Sequence, residues 1–278
     1  MVSRMITIND VINIDYNGAM SAIEDFINRL VKDAGANGVV IGVSGGIDSS
    51  VTLKLAVEAL GPDKVYALIM PDSRTTPKKD VEDAVNLVSS LGVKHDIIWI
   101  DRMVDSYSIL PVFDIGNKIA TGNLRARIRM CILYYYANIK NLLVLGTGDR
   151  SELLIGYYTK YGDGGVDALP IGSLYKTQVR HLGRLLGLPK DITEKPSSPR
   201  LWPGHLAEKE LGLKYEEIDV VLYAIFDKKI PIDKVPELTG VNSEKVSKII
   251  HMHRTTRHKR KTPPIARLPW IKEPLPEI

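Results

Sequence analysis

The stretch VVIGVSGGIDSS, residues 39–50, decides the fold of this chain. It begins as a short run of β-branched residues flanked by glycines, which is typical of a buried strand. Two adjacent glycines, Gly45 and Gly46, then predict a tight turn, and residues 49–60 follow a helical pattern that ends at Gly61. The stretch therefore predicts a strand, a glycine-rich turn and a helix in direct succession.

The same alternation of strand and helix continues along the chain. Apolar runs typical of strands occur at 38–43, 65–70, 95–100 and 142–146. Helical patterns occur at 17–34, 49–60, 77–91, 117–139, 175–187, 215–227 and 243–253, and another helix begins near Ser151. This alternation predicts an α/β fold with a doubly wound, Rossmann-like parallel sheet and helices on both faces. Ligands bind beyond the carboxyl ends of the strands in such sheets. We therefore expect the site on the loops 44–48, 71–76, 101–105 and 147–151.

The composition is that of an ordinary folded protein. Of 278 residues, 44% are apolar and 25% are charged, which excludes a disordered chain, a collagen and a coiled coil. We expect a single domain over residues 1–278 with a proline-rich tail at 262–278, because no repeat or clear linker interrupts the pattern. No apolar run reaches the ~18–20 residues that cross a bilayer, and the N-terminus does not resemble a signal peptide. We therefore expect no membrane partner and a cytoplasmic location.

The chain has one cysteine and an uneven distribution of charge. Cys131 is the only cysteine, so a disulfide and a cysteine-cluster metal site are excluded, and its apolar neighbours predict that it lies in the core. Residues 251–261 contain five Arg and Lys and no acid, and without them the chain would have 32 basic and 33 acidic residues. The net charge of +4 thus comes from one segment, which predicts an anionic partner.

The turn at 44–48 has the residues of a phosphate site. Adjacent glycines let the backbone come close to a ligand, and the N–H groups at the start of the following helix point toward an anion. Ser44, Ser49 and Ser50 add hydroxyl donors, whereas Asp48 would repel phosphate unless a cation such as Mg²⁺ lies between them. The alternative is a simple Gly-Gly turn in which Asp48 caps a helix. The spacing matches neither GxxxxGK[ST] nor GxGxxG.

The turn resembles the SGGxDS loop of the N-type ATP pyrophosphatases, which cleave ATP between the α and β phosphates and adenylate an acceptor. The ordered segments TGNLRARIRM, GTGDRSELLIGYYTKYGDGGVDALPIGSLYKTQV, EKPSS, ELGLKYEEID and RHKRKTPP also resemble ammonia-dependent NAD synthetase, from about residue 17 to 264. The resemblance implies an adenine nucleotide alpha-hydrolase fold and an obligate homodimer with its active site at the interface. It also implies amidation of deamido-NAD by ammonia, with ATP and Mg²⁺, giving NAD, AMP and pyrophosphate.

The resemblance assigns roles to individual residues of this chain. Those that it implies for ATP are Gly42, Val43, Ser44, Gly45, Gly46, Ile47, Asp48, Ser49, Thr147, Lys176 and Ser198. Those that it implies for deamido-NAD are Arg127, Lys160, Asp167, His258 and Lys259. Asp48 and Glu152 would hold Mg²⁺, and Asp167 is the candidate that takes a proton from ammonium. Arg74 is a candidate adenine contact after the second strand.

Other interpretations of these residues stay open. Arg125, Arg127 and Arg129 alternate along a helix, ~200° apart for neighbours in the series, so they cannot share one face. Arg127 and the charged residues around the glycine-rich loop 159–170, which we expect to be a mobile lid, are also consistent with ordinary surface charge. Glu152 in a first helical turn also suits the helix dipole.

Two rival functions remain at this level. A tRNA-modifying or amide-forming ligase would share the SGGIDSS loop, and a nucleic-acid-binding module would use the basic segment 251–261. A ligase of that kind would leave the segments KYGDGG and RHKRK unexplained. A nucleic-acid-binding module would leave the SGGIDSS loop unexplained, so we expect no nucleic acid partner. The chain has no room for a glutamine-hydrolysing domain beside the synthetase core, so free ammonia is the expected nitrogen donor unless a partner supplies it.

Overall fold

One parallel sheet lies at the centre of the part of the chain that the structure describes. The computed structural model describes residues 4–266 and 268–270. Its strands are β1 (Gly38–Gly42), β2 (Val65–Ile69), β3 (Lys94–Ile97) and β4 (Leu142–Leu145). They are parallel and lie in the order β3-β2-β1-β4. The order reverses between β1 and β4, which opens a crevice at their carboxyl ends. The predicted doubly wound sheet is confirmed.

Helices connect the strands and cover the sheet. They are α1 (Ile8–Ile12), α2 (Tyr16–Asp33), α3 (Ile47–Leu60), α4 (Lys78–Ser90), α5 (Asp101–Asp105), α6 (Lys118–Lys140), α7 (Arg150–Ile155), α8 (Lys176–Leu185), α9 (Lys190–Thr193), α10 (Ala207–Leu211), α11 (Tyr215–Phe226), α12 (Val235–Thr239) and α13 (Ser243–Thr255). Short 3-10 turns occur at Pro62–Lys64, Ser106–Ile109, Ile232–Lys234 and Arg257–Arg260. The predicted helices are present, with ends that differ by a few residues.

Alternate residues of the strands feed two cores on opposite faces. In β1, Val39 and Ile41 belong to the cluster with α2, α3, α4 and α8, whereas Val40 belongs to the cluster with α5 and α6. Because all three side chains are fully buried, β1 is apolar on both faces, as the sequence run predicts. A third apolar cluster contains residues of α1, α7, α10, α11, α12 and α13. Helix α11 also contacts α8.

The end of β3 and the position of Cys131 differ from the sequence predictions. The third strand was predicted over 95–100 but ends at Ile97; it lies at the edge of the sheet, where one neighbour is missing. The core position predicted for Cys131 is wrong, because the residue is exposed. It lies on an outward face of α6 with Tyr135 and Ile139, one and two helical turns further on, which are exposed as well.

The proline-rich tail predicted at 262–278 lies partly outside the described residues, which include 262–266 and 268–270 of it without helix or strand. Within the described part of the chain, each helix is too short or too polar to cross a bilayer.

Candidate active site

The turn after β1 is built as a closed cradle. The Ser49 hydroxyl accepts from the Ser44 N–H at 3.2 Å and donates to the Gly46 carbonyl at 3.1 Å, while Ser50 donates to the same carbonyl at 2.8 Å. Gly45 has a φ of +75°, and a Cβ there would lie 2.3 Å from the Asp80 carbonyl oxygen. Only glycine fits both conditions. The turn therefore has a fixed shape that ends at the N-terminus of α3, where N–H groups favour anions.

A cavity of about 480 Å³ opens at the carboxyl ends of the strands. It is bounded by the turn after β1, the ends of β2 and β4, α7, the glycine-rich loop and residues 195–202. The predicted site residues that line it are Gly42, Val43, Ser44, Gly46, Ile47, Asp48, Ser49, Thr147, Glu152, Ser198 and Lys259. The structure thus brings together most of the predicted ATP residues, although they lie up to 156 positions apart in the chain.

Beside the cavity, Lys176 is the centre of a buried ionic cluster. Its Nζ lies 2.7 Å from Asp48 Oδ2, 2.9 Å from Asp149 Oδ2 and 2.8 Å from Glu152 Oε1. Its side chain is 0% exposed. Burial opposes the ammonium charge, but the three carboxylates outweigh it and hold the pKa of Lys176 well above its ordinary value. Burial also raises the pKa values of Asp149 and Glu152, although Lys176 opposes the rise.

The cluster fixes the two predicted magnesium carboxylates at the wall of the cavity. Asp48 Oδ1 is buried and has no hydrogen-bond partner among the described residues, so one carboxylate oxygen is available to a cation. Within residues 4–266 and 268–270, no group of three or more His, Cys, Asp or Glu side chains is arranged to hold a metal. Mg²⁺ commonly uses only one or two carboxylates plus substrate phosphates, and Asp48 with Glu152 fits that chemistry.

Four predicted substrate residues lie outside the set of described residues that line the cavity: Arg127, Lys160, Asp167 and His258. Arg127 is exposed and donates to the Lys160 carbonyl at 3.3 Å. Asp167 accepts from the Tyr134 hydroxyl at 3.0 Å and from the Val144 N–H at 2.8 Å, which fixes it against β4. Their substrate roles, and the proton-accepting role of Asp167, stay predictions.

Arg74, the candidate adenine contact, is held away from the cavity lining by ion pairs. Its guanidinium bonds Asp72 at 2.8 Å and Asp105 at 2.5 Å. By contrast, Arg129 lines the cavity, and its Nε donates to the Met70 carbonyl at 2.8 Å at the end of β2. Burial lowers the pKa of Arg129 to about 10, so its guanidinium stays charged at neutral pH. In the sequence, Arg129 alternates along the helix with Arg125 and Arg127, and that pattern does not show which of the three lines the cavity.

Several cavity residues were not identified from the sequence. Lys195 donates to the Gly45 carbonyl at 2.8 Å and to Asp83 at 2.6 Å, so the EKPSS segment holds the phosphate turn directly. Asp163, in the KYGDGG segment that carries the resemblance, also lines the cavity, four residues before Asp167. Tyr157, Trp202, His205 and Glu210 line it too. No local pattern marks them, since they meet only through the fold.

The glycine-rich loop and the basic segment are tied to the same region. Asp163 accepts from the Thr159 N–H at 2.8 Å, and turn hydrogen bonds join Gly162 and Gly164 to the Thr159 carbonyl. Lys259 donates to the carbonyls of Gly156 and Tyr158 at 2.7 and 2.6 Å. These bonds satisfy carbonyls that follow α7 and hold the basic segment against the cavity. The lid motion predicted for the loop stays a prediction.

A parallel sheet with a phosphate cradle at its switch point and carboxylates placed for a cation defines a nucleotide-binding α/β enzyme. The NAD synthase family matches residues 19–263 of the chain. The chain is 63% identical over 274 residues to the NH(3)-dependent NAD(+) synthetase of Staphylothermus marinus, covering 99% of this chain and 100% of the relative. It is 55% identical to the synthetase of the same name from Hyperthermus butylicus, covering 93% and 94%.

Solved structures agree with the sequence relatives. The NMN synthetase from Francisella tularensis has a TM-score of 0.81 and 33% identity and covers 92% of this chain and 100% of that chain. The NH3-dependent NAD synthetase from Campylobacter jejuni has a TM-score of 0.77 and 32% identity, with 91% and 100% covered. This chain belongs to the NAD synthase family.

Proposed function

We propose that this protein amidates deamido-NAD with ammonia in an ATP-dependent reaction, giving NAD, AMP and pyrophosphate through an adenylated intermediate. The observation that carries the proposal is the SGGIDSS cradle on the wall of the cavity, whose Asp48 is bonded at 2.7 Å to Lys176 of the buried ionic cluster beside it. The chain's membership of the NAD synthase family and its 63% identity to a relative named NH(3)-dependent NAD(+) synthetase support the same activity.

In the first step the nicotinate carboxylate attacks the α-phosphorus of ATP and pyrophosphate leaves. Backbone N–H groups at the start of α3 bind the departing pyrophosphate. The Ser44 N–H and the Ser49 hydroxyl are bonded within the turn and set its shape. Asp48 and Glu152 would hold Mg²⁺, which supplies positive charge to the phosphate oxygens. Lys176 holds these carboxylates in place from behind, since its own side chain is fully buried.

In the second step ammonia attacks the adenylated carbonyl carbon and AMP leaves. The nitrogen enters as ammonium at neutral pH, so a proton acceptor near the cavity assists the step. Asp167 stays the candidate from the sequence, and Asp163 of the same loop lines the cavity. Lys259, beside the cavity, supplies positive charge for the phosphates of deamido-NAD.

We also propose a single domain and a homodimer whose interface borders the active site. An apolar surface on and before α6 is exposed in one chain: Ile109 at 84%, Val112 at 89% and Ile119 at 72%. Exposed apolar patches of this kind mark protein interfaces. Ile119 also lines the cavity, so a partner covering this surface would lie next to the substrates. The single cysteine supports the proposed cytoplasmic location.

The test is NAD formation from deamido-NAD, ATP and ammonium, with AMP and pyrophosphate measured beside it. The function predicts all three products in equal amounts and none without ATP. Glutamine in place of ammonium tests whether another donor serves, and the carboxylate precursor of NMN tests the activity named for the Francisella tularensis structure. Adenylation of a tRNA or another acid without NAD formation would replace this function with that of another ligase.

A further inference from the structure

A cluster of aromatic and acidic side chains on the wall of the cavity has no role in the steps above. His205 is 2% exposed, and its ring stacks on Trp202 with centroids 3.5 Å apart and planes at 14°. Its Nε2 lies 2.7 Å from Glu210 Oε2 and 3.1 Å from the Tyr157 hydroxyl, and that hydroxyl donates to Glu210 Oε2 at 2.5 Å. All four residues line the cavity.

The hydrogen bonds decide which ring nitrogen of His205 carries hydrogen. An ionised carboxylate only accepts, so Nε2 donates to Glu210 and holds the proton of the neutral ring. Nδ1 is then an unprotonated base. It is buried and has no hydrogen-bond partner in the part of the chain that the structure describes. A carboxylate on one nitrogen and a free lone pair on the other is the arrangement in which a carboxylate orients and strengthens a histidine base.

The ring is also held in place from other directions. The Ser198 hydroxyl donates to the His205 carbonyl, which ties this segment to a predicted ATP residue. The titratable and charged groups that face the ring are Glu210 from α10, Tyr157 from the segment after α7 and Arg200 from its own segment. Burial lowers the pKa of His205, although the bond to Glu210 opposes the shift, so the neutral form persists at neutral pH.

We propose that His205 and Glu210 form a base dyad in which Nδ1 of His205 takes a proton from the ammonium ion that supplies the nitrogen. This proposal rests on the proposed amidation. Glu210, which is exposed, holds the ring and returns the proton to solvent, so it acts as a positioning residue.

An N–H bond of ammonium breaks, its electron pair stays on nitrogen, and the proton moves to Nδ1. The lone pair of ammonia then forms the C–N bond with the adenylated carbonyl carbon. The bond from that carbon to the bridging oxygen breaks, and AMP leaves with the oxygen. The nitrogen loses its second surplus proton to water as the tetrahedral intermediate collapses.

The experiment separates the two half-reactions in the full-length protein. Adenylation is measured as pyrophosphate exchange into ATP that depends on deamido-NAD, without any nitrogen donor. Amidation is measured with ammonium between pH 7 and 9, and with hydroxylamine, which is already unprotonated at neutral pH. The variants are His205→Gln and Glu210→Gln. His253→Gln is the control, because His253 is a half-buried histidine that is bonded to the Leu154 carbonyl and lies outside the described residues that line the cavity.

The dyad predicts that the variants are impaired only in the amidation that uses ammonium. His205→Gln should keep pyrophosphate exchange and hydroxylamine turnover but lose about 10²-fold in ammonium-dependent kcat at pH 7, since a positioned base contributes at least this much. The loss in ammonium-dependent kcat should become smaller toward pH 9, because more of the nitrogen donor is then free ammonia that needs no deprotonation by the enzyme. Glu210→Gln should show the same pH dependence, because a glutamine amide can donate to Nε2 and move the ring proton to Nδ1. His253→Gln should match the wild type.

Three results would overturn the dyad while leaving amidation intact: unchanged ammonium turnover in His205→Gln, an equal loss with hydroxylamine and in pyrophosphate exchange, or an ammonium-specific defect only in Asp163→Asn. A thermal melt of each variant confirms that it folds. Absence of both exchange and NAD formation in the wild type would refute the proposed function itself, and the dyad with it.

Discussion

Replacing Lys176 by Met removes the one positive charge at the centre of three carboxylates. Methionine keeps most of the volume, so the change is chiefly electrostatic. The Nζ atom lies within 2.9 Å of Asp48, Asp149 and Glu152, and the side chains of both Lys176 and Asp149 are 0% exposed. Removing one partner from a buried ion pair costs about 3–5 kcal/mol, because a charge is left without compensation. We expect a loss of this size in the free energy of unfolding at pH 7.5.

The loss should depend on pH with a definite sign. Burial already raises the pKa values of Asp149 and Glu152 in the folded protein, and Lys176 opposes that rise. Without Lys176 the two pKa values rise further, so the folded variant takes up protons at a higher pH than the unfolded chain. Stability that comes with this protonation is present at low pH and lost as pH rises. The deficit should therefore be smaller at pH 5.5 than at pH 7.5.

Denaturant unfolding of wild type and Lys176→Met at both pH values measures the effect. Lys54→Met on α3 is the control, because Lys54 forms a partly exposed i,i+4 pair with Glu58 at 3.1 Å, and its loss should cost less than about 0.5 kcal/mol. A deficit below about 1 kcal/mol, or one that grows toward pH 5.5, would refute the reasoning.

Four further predictions concern the turn, the basic segment and the apolar surface. Asp48→Ala should abolish pyrophosphate release, measured by a coupled phosphate assay, while the protein stays folded; retained turnover would contradict the Mg²⁺ role. Gly45→Ala should raise the KM for ATP and destabilise the fold by more than the ~1–2 kcal/mol of positive φ alone, because its Cβ meets a carbonyl oxygen at 2.3 Å; Gly92→Ala, at φ +68° with open space around it, isolates the φ effect. Lys259→Ala should raise the KM for deamido-NAD more than that for ATP in initial-rate kinetics, and an equal effect on both would remove it from the substrate site. Ile119→Asp should shift the protein from dimer to monomer in analytical ultracentrifugation, whereas an unchanged dimer would move the interface elsewhere.

The fold could be predicted largely because its decisive signals are local. Continuous apolar strands between glycines, such as 38–43, show burial on both faces without any knowledge of the neighbours. Cys131 shows where this reasoning fails. Its apolar neighbours are compatible with a core or with a surface that meets another chain, and periodicity cannot tell the two apart.

The site could be predicted only where a short motif carries the chemistry. The turn at 44–49 and the carboxylates Asp48 and Glu152 come together as expected. Lys195 and His205 could not be predicted, since their importance arises from contacts with Gly45 and Glu210 made in the folded chain. Asp167 accepts from the Val144 N–H of β4, and its role in the reaction stays a prediction.

Transfer of an isotopic label tests the central claim most directly. Deamido-NAD labelled with ¹⁸O in both oxygens of its nicotinate carboxylate is converted with ATP and ammonium, and the AMP and pyrophosphate are analysed by mass spectrometry. Attack of the carboxylate on the α-phosphorus predicts one ¹⁸O atom in AMP and none in pyrophosphate. Label in pyrophosphate, or unlabelled AMP beside newly formed NAD, would contradict adenylation at this site.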